Sequence, residues 1–342
     1  MALSRVAPLP LLALMLAGAA AAQEQQFAAL GDFKLASGEV LRDCRIGYRT
    51  FGKLNAAKSN AIFFPSWAGG STGQMLSSVG PGMGLDLSKD FVVAVDPLSN
   101  GVSSSPSNSR LQPHMHFPKF TMRDMVETQH ALLTRVLHIN HLKAVMGVSM
   151  GGMQTFQWIV SYPAFMDRAI PIVGSPQLAP YDLMHWQTQI DAIVNDAAWH
   201  NGDYTQNPAR VAEAEFGAIL LTTPAHFNQN TTRQQVPEML DKAKKEKRGS
   251  DANNKIRQVQ AMMSIDVSEK FGGSLAAAAA SVKAKVLVIS SVQDQVVTPG
   301  PAFEFGRLLH AGIVRLEGDC GHLAPNCEDK KVAAAVHAFL YQ

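Results

Sequence analysis

Leu142-Lys143-Ala144-Val145-Met146-Gly147-Val148-Ser149-Met150-Gly151-Gly152-Met153-Gln154-Thr155-Phe156-Gln157-Trp158 is the stretch that decides the fold. It opens with a short apolar run, the mark of a strand buried on both faces, and closes with a helical pattern. Between them stands Gly-x-Ser-x-Gly, at a turn sharp enough to force the serine into a strained backbone conformation. The flanking glycines remove the Cβ atoms that would collide there. Such a turn lifts the Ser149 hydroxyl above a sheet, with a helix N-terminus aimed at the reacting oxygen. Gly-x-Ser-x-Gly also occurs in structural glycine-rich turns; the strand before it and the helix after it select the nucleophile reading.

Outward from this stretch the chain repeats the same rhythm. Residues 61–65, 91–96, 169–173, 286–290 and 313–316 are further short apolar runs, several of them separated by helical patterns. That alternation predicts a mostly parallel central sheet flanked by helices. Two alternating segments, 33–41 and 44–51, predict an antiparallel lead-in. Thr121-Met122-Arg123-Asp124 reads as a capping box, followed at helical spacing by Met125, Val126, Leu132, Leu133, Val136 and Leu137. Between 177 and 281 the strand rhythm disappears into polar, helix-compatible sequence containing Trp186, Trp199, Tyr204, Met239, Met262 and Met263. The fold class is α/β, of the α/β-hydrolase kind, with core segments 23–176 and 282–342 and an inserted helical cap over 177–281. The alanine run 276–280 reads as a helix end rejoining the sheet.

A serine hydroxyl is a poor nucleophile at neutral pH and needs a base, normally a histidine oriented by a carboxylate. In this fold the chain order is serine, acid, histidine. Asp294 follows the strand at 286–290 and His322 follows the strand at 313–316, both where α/β sheets place their sites. Among the 11 histidines, His322 alone combines a late position, a loop after a strand and a preceding glycine. Asp319 and Glu328 lie in the same region and remain alternative partners for it. An oxyanion hole would use the N–H of Met150 and one from the loop Phe64-Pro65-Ser66-Trp67-Ala68-Gly69-Gly70. Trp67 is the candidate donor there; its other reading is an aromatic packing anchor.

Composition narrows the function. The 342 residues are 46% hydrophobic, enough for a substantial core, and only 17% charged, with 30 Lys and Arg against 28 Asp and Glu. No global field draws in nucleic acid, and the run Lys242, Lys244, Lys245, Lys247, Arg248 lacks interleaved aromatics and reads as a solvated helix end or loop. His114-Met115-His116 has no third ligand at sensible spacing, so no metal is implied, and without a Walker loop or dinucleotide fingerprint no cofactor is implied either. Residues 1–22 read as an export signal: Arg5, an apolar stretch over 9–18, then Ala20-Ala21-Ala22 before Gln23. The uncleaved alternative is a membrane anchor. Export places Cys320 and Cys327, on either side of His322, in an oxidising compartment. A disulfide, which would leave Cys44 free, and three reduced thiols buried as small apolar residues both stay open, because sequence does not give the Cα separation.

Between residues 100 and 174 the chain resembles the homoserine O-acetyltransferase family of the α/β-hydrolase superfamily. The resemblance is carried by Phe117-Pro118, Thr121-Met122-Arg123-Asp124-Met125-Val126 and Gly147-Val148-Ser149-Met150-Gly151-Gly152-Met153-Gln154, and more weakly by Trp199-His200-Asn201-Gly202-Asp203-Tyr204, Asp294 and Gly321-His322. It implies ping-pong chemistry through an acyl-enzyme on Ser149. Two departures stand out. That family's catalytic histidine is followed by an acidic residue that helps hold the substrate amine, whereas His322 is followed by Leu323. Its cap arginine for the substrate carboxylate aligns near Phe216, with Arg210 close by. An amino-acid substrate needs both charges met.

An exported enzyme is also not expected to meet acetyl-CoA, the family's usual donor, which leaves water as the natural acceptor. The resulting expectation is a periplasmic or secreted serine hydrolase cleaving a small, largely uncharged ester. Its alternatives are an acyltransferase using an acyl-CoA donor and a noncatalytic binding protein on the same fold. The expected partners are a small-molecule ester or acyl donor and, at most, a second copy of the chain in a homodimer. Nucleic acid, and stable membrane insertion after signal cleavage, are not expected.

Overall fold

The computed structural model describes residues 24–245 and 251–342. The expected signal lies outside the described residues, as do Lys247 and Arg248 of the basic run. Eight strands form one sheet: β1 (Gln26–Lys34), β2 (Val40–Gly52), β3 (Ala61–Pro65), β4 (Phe91–Val95), β5 (Leu142–Val148), β6 (Met166–Ile172), β7 (Lys285–Ser291) and β8 (Gly312–Leu316). Their spatial order is β1-β2-β4-β3-β5-β6-β7-β8. β1 and β2 run antiparallel to their neighbours, and the other six are parallel to one another. The chain places β4 on one side of β3 and then returns to lay β5 on the other. The carboxyl ends of β3 and β5 therefore flank a reversal of strand order, where open α/β sheets hold their ligands.

The helices are α1 (Met122–Ala131), α2 (Met150–Ser161), α3 (Pro180–Val194), α4 (Val211–Leu220), α5 (Pro224–Asn230), α6 (Gln235–Lys245), α7 (Ala252–Met263), α8 (Leu275–Ser281), α9 (Gly300–Leu308), α10 (Ala324–Cys327) and α11 (Asp329–Tyr341). The central strands read as unbroken apolar runs because both faces are covered. Phe63, Val93, Val145 and Val288 point into one core, shared with α1, α2 and α9. Their neighbours Ile62, Val92, Met146 and Ile289 point into a second, closed by Val332, Val336 and Leu340 of α11. Between β6 and β7 the described residues carry α3 to α8 and only one isolated bridge, Gln177 to Asp266. α8 turns back onto α2 and α9.

Two expectations shift. The segment 33–41 is not a strand: β1 ends at Lys34 and the chain turns over 35–39, with the Leu35 N–H donating to the Glu39 carbonyl and Gly38 at φ 91°. The polar break that matters is Ser37-Gly38, because glycine accepts the left-handed backbone that alternation alone does not reveal. The helix from Thr121 forms with its capping box, the Thr121 side chain accepting from the Asp124 N–H and Asp124 accepting from the Thr121 N–H. Beyond Ala131, however, it widens into one π turn, Leu132–Val136, closed by Leu137 N–H to the Leu132 carbonyl. The spare Asp124 oxygen accepts from Ala36 N–H at 2.7 Å, fixing this helix to the hairpin turn.

Candidate active site

Ser149 stands between β5 and α2 at φ 59°, ψ −120°. Backbone strain of this kind survives only where the surroundings over-determine it, and the glycines do so here. A Cβ on Gly147 would lie 2.4 Å from the Gly151 backbone, one on Gly151 2.5 Å from the Pro65 carbonyl oxygen, and one on Gly152 2.7 Å from the Ile172 carbonyl oxygen. The elbow is thus pressed against β3 on one side and β6 on the other. The Ser149 N–H donates to the Ile172 carbonyl at 2.9 Å.

Ser149 Oγ lies 2.8 Å from His322 Nε2, and His322 Nδ1 lies 2.7 Å from Asp294 Oδ2. A carboxylate only accepts, so Nδ1 carries the imidazole proton and Nε2 is left to accept from the serine. The second Asp294 oxygen accepts from the N–H groups of Val296 and Val297 at 2.8 and 3.0 Å. Asp294 and His322 are buried, while Ser149 is half-exposed. The alternative partners considered for His322 are occupied elsewhere. Asp319 pairs with His226 at 3.0 Å, and Glu328 accepts from the Gly318 N–H and the Lys331 ammonium.

Helical segments from outside the sheet brace both loops. From α3, buried His185 donates through Nε2 to the Val296 carbonyl at 2.8 Å, and buried Asp182 accepts from the N–H and hydroxyl of Thr298. Burial holds the His185 imidazole below its ordinary range, so it stays neutral. After α4, the Leu221 carbonyl accepts the His322 N–H at 2.9 Å, and Thr223 donates its hydroxyl to the Asp319 carbonyl at 2.7 Å. Cys320 and Cys327 are joined in a disulfide, with a Cα–Cα separation of 6.5 Å, around the same histidine loop. Cys44 is the leftover thiol and is buried.

The loop after β3 is also held from several sides. Gly69 N–H donates to Gln258 of α7, and Gln154 of α2 donates to the Ser66 carbonyl. Among the described residues, neither the Trp67 N–H nor the Met150 N–H has a protein acceptor. The Trp67 indole folds under Gly70, where a Cβ would lie 2.6 Å from its Nε1, so packing and an available backbone donor coexist at this residue.

Ser149, His322 and Trp67 open onto a cavity of about 620 Å³. Phe64, Val148, Val296 and Leu323 give it apolar surfaces. The sequence reading missed what α4 and α7 bring to it: Glu213 and Lys255, whose carboxylate and ammonium lie 3.7 Å apart. Arg210 is fully buried behind Glu213, its guanidinium 3.9 Å from that carboxylate, and Phe216 packs half-buried against the core; neither lines the cavity. His114 points a ring nitrogen at the Gly202 carbonyl. No described helix is long and apolar enough to cross a membrane.

Residues 62–325 match the family described as the alpha/beta hydrolase fold. The chain is 34% identical to an ethyl acetate hydrolase of Pseudomonas veronii over 79% of its own length and 80% of the relative's. It is 28% identical to a homoserine O-acetyltransferase of Methanococcoides burtonii, over 91% and 72% respectively. The crystal structure of an acetylester hydrolase from Corynebacterium glutamicum superimposes with a TM-score of 0.86 at 27% identity, covering 93% of this chain and 96% of that one. An eight-stranded, mostly parallel sheet with a strained Gly-x-Ser-x-Gly elbow, and relatives that either cleave esters or transfer acyl groups, give one conclusion: the chain belongs to the α/β-hydrolase fold family, as a hydrolase or acyltransferase.

Proposed function

We propose that the protein is an exported esterase that cleaves a small ester through an acyl-enzyme on Ser149. The observation that carries this reading is the unbroken hydrogen-bonded chain from Asp294 through His322 to Ser149, opening into a cavity beside Leu323. His322 Nε2 takes the hydroxyl proton as Oγ attacks the ester carbonyl carbon, and Asp294 stabilises the imidazolium that forms. The N–H groups of Met150 and Trp67 donate to the developing oxyanion. As the tetrahedral intermediate collapses, His322 returns the proton to the leaving alcohol. It then takes a proton from water, which attacks the acyl-enzyme, and returns that proton to the departing Ser149 Oγ as the acid leaves.

Water as the acceptor is supported by Leu323. It lines the cavity next to His322, at the position where the transferases that the chain resembles carry an acidic residue for the substrate amine, and Arg210 lies outside the cavity lining. The long match to a homoserine O-acetyltransferase favours transfer as the second reading. Export rests on Arg5, the apolar stretch over 9–18 and Ala20-Ala21-Ala22, and is supported by the disulfide, which persists in oxidising compartments. Mass measurement of the secreted product should give a chain starting at Gln23.

The functional test measures acid release from ethyl acetate and thiol release from acetyl-CoA with and without L-homoserine. Ser149→Ala, shown folded by circular dichroism, is the blank. Ester cleavage abolished in Ser149→Ala is expected. Unchanged cleavage refutes the acyl-enzyme, and homoserine-dependent thiol release replaces the hydrolase reading with the transferase one.

A further inference from the structure

The cavity wall built by α3, α4 and α7 is chemically unlike the rest of the pocket. It places Trp186, Gln189, Glu213 and Lys255 opposite surfaces that are largely apolar. Trp186 is only 4% exposed, yet its indole Nε1–H has no hydrogen-bond partner. That N–H has no surface open to the cavity, so the polar side chains that line the cavity from this wall are Gln189, Glu213 and Lys255. The Lys255 ammonium sits 5.4 Å from the centre of the same indole ring and 3.7 Å from the Glu213 carboxylate. Donors and an acceptor are thus gathered on one wall, contributed by three helices packed on one another.

We infer that this wall is a subsite for a free hydroxyl group on the substrate, so that the preferred ester is the monoester of a diol or an ester of a hydroxy acid. The inference rests on the esterase reading and narrows its substrate class. A hydroxyl accepts from the Lys255 ammonium and donates to the Glu213 carboxylate, meeting both kinds of group at once. An alkyl group in the same place desolvates the Glu213–Lys255 pair and offers it no hydrogen bond. A carboxylate would satisfy the donors but would face the Glu213 carboxylate on the same wall.

The test compares near-isosteric esters, 2-hydroxyethyl acetate and propyl acetate, with 3-acetoxypropanoate as the charged analogue. Each kcat/KM is divided by that ester's rate of alkaline hydrolysis, which removes intrinsic reactivity. The intact protein is expected to prefer the hydroxylated ester by roughly tenfold or more. Lys255→Met should pull that ratio towards one, with fluorophosphonate labelling of Ser149 reporting that the site is formed. The ratio in the unsubstituted protein decides the matter even if a variant fails to fold. Turnover of propyl acetate with a normalised ratio of one overturns the subsite and leaves the esterase reading standing; so does a preference for the carboxylate ester. Failure to cleave any ester, with Ser149 unlabelled, overturns both.

Discussion

Replacing Gly151 by alanine tests whether the elbow is held by contact or merely permitted by glycine. The added Cβ would stand 2.5 Å from the Pro65 carbonyl oxygen, about 0.9 Å short of the 3.4 Å at which ordinary contact begins. Pro65 is the last residue of β3 and Ser66 is buried, so there is no flexible side chain to give way. Either the loop carrying Trp67 retreats or the start of α2, with the Met150 N–H, is pushed back. A retreat of that size stretches a hydrogen bond of about 2.9 Å beyond bonding range. The expected result is a kcat lower by roughly 10² to 10³, the cost of one oxyanion donor. KM should change little, and the folded state should lose about 1–3 kcal/mol to overpacking. Steady-state kinetics on an alkyl acetate, paired with the urea midpoint, read both quantities. A variant with the parent's kcat and midpoint would show that the close approach of β3 to α2 has no catalytic consequence.

Other perturbations separate further contributions. Asp294→Asn keeps a carbonyl oxygen for the Val296 and Val297 N–H groups but no longer fixes the tautomer of His322; kcat should fall by about 10⁴ with the melting temperature nearly unchanged, and a small fall would reassign the acid. Reducing the Cys320–Cys327 bridge, which closes a short loop, should cost about 2.5 kcal/mol of stability in denaturant titrations, and an unchanged midpoint in reductant would refute this. Burial raises the Cys44 thiol to about 12, so titration with a thiol reagent near pH 8 should find no reactive cysteine in the native protein and one after unfolding. The same shift, together with burial of Tyr162 and Tyr204 beside carboxylates, means the unfolded chain gives up protons before the native one as pH rises. Stability should therefore decline from about pH 9 upward; a flat alkaline profile would refute it.

The three side chains that the structure brings into one hydrogen-bonded chain stood out in the sequence because their signals are local. Ser149 sits in a strand-to-helix turn with obligatory glycines, and Asp294 and His322 each follow an apolar run, in the order this fold uses. The polar wall escaped because Glu213 and Lys255 belong to different helices, and only the packing of α4 and α7 against α3 brings them together. The lead-in strands were misplaced for a related reason. Alternation continues through residues 33–41, and the turn there is set by the left-handed backbone of Gly38. The disulfide stayed open in sequence because seven residues of separation are compatible with many Cα distances, and only the turn around His322 fixes one. Likewise the π turn at Leu132–Val136 keeps an ordinary apolar helical spacing.

The bracing of the loops that carry Asp294 and His322 bears on how a ligand would reach the cavity. His322 hangs by its N–H from the Leu221 carbonyl, and the Asp294 loop is gripped by His185 and Asp182, so both loops are fastened to the helical layer that roofs the cavity. A roof that swung away as a rigid lid would take these fastenings with it and pull histidine and acid out of line. Traffic must instead pass through a standing doorway, with only side chains stepping aside. Selection by size would then be exercised at the threshold, and the machinery inside would be equally ready whether the room is empty or full.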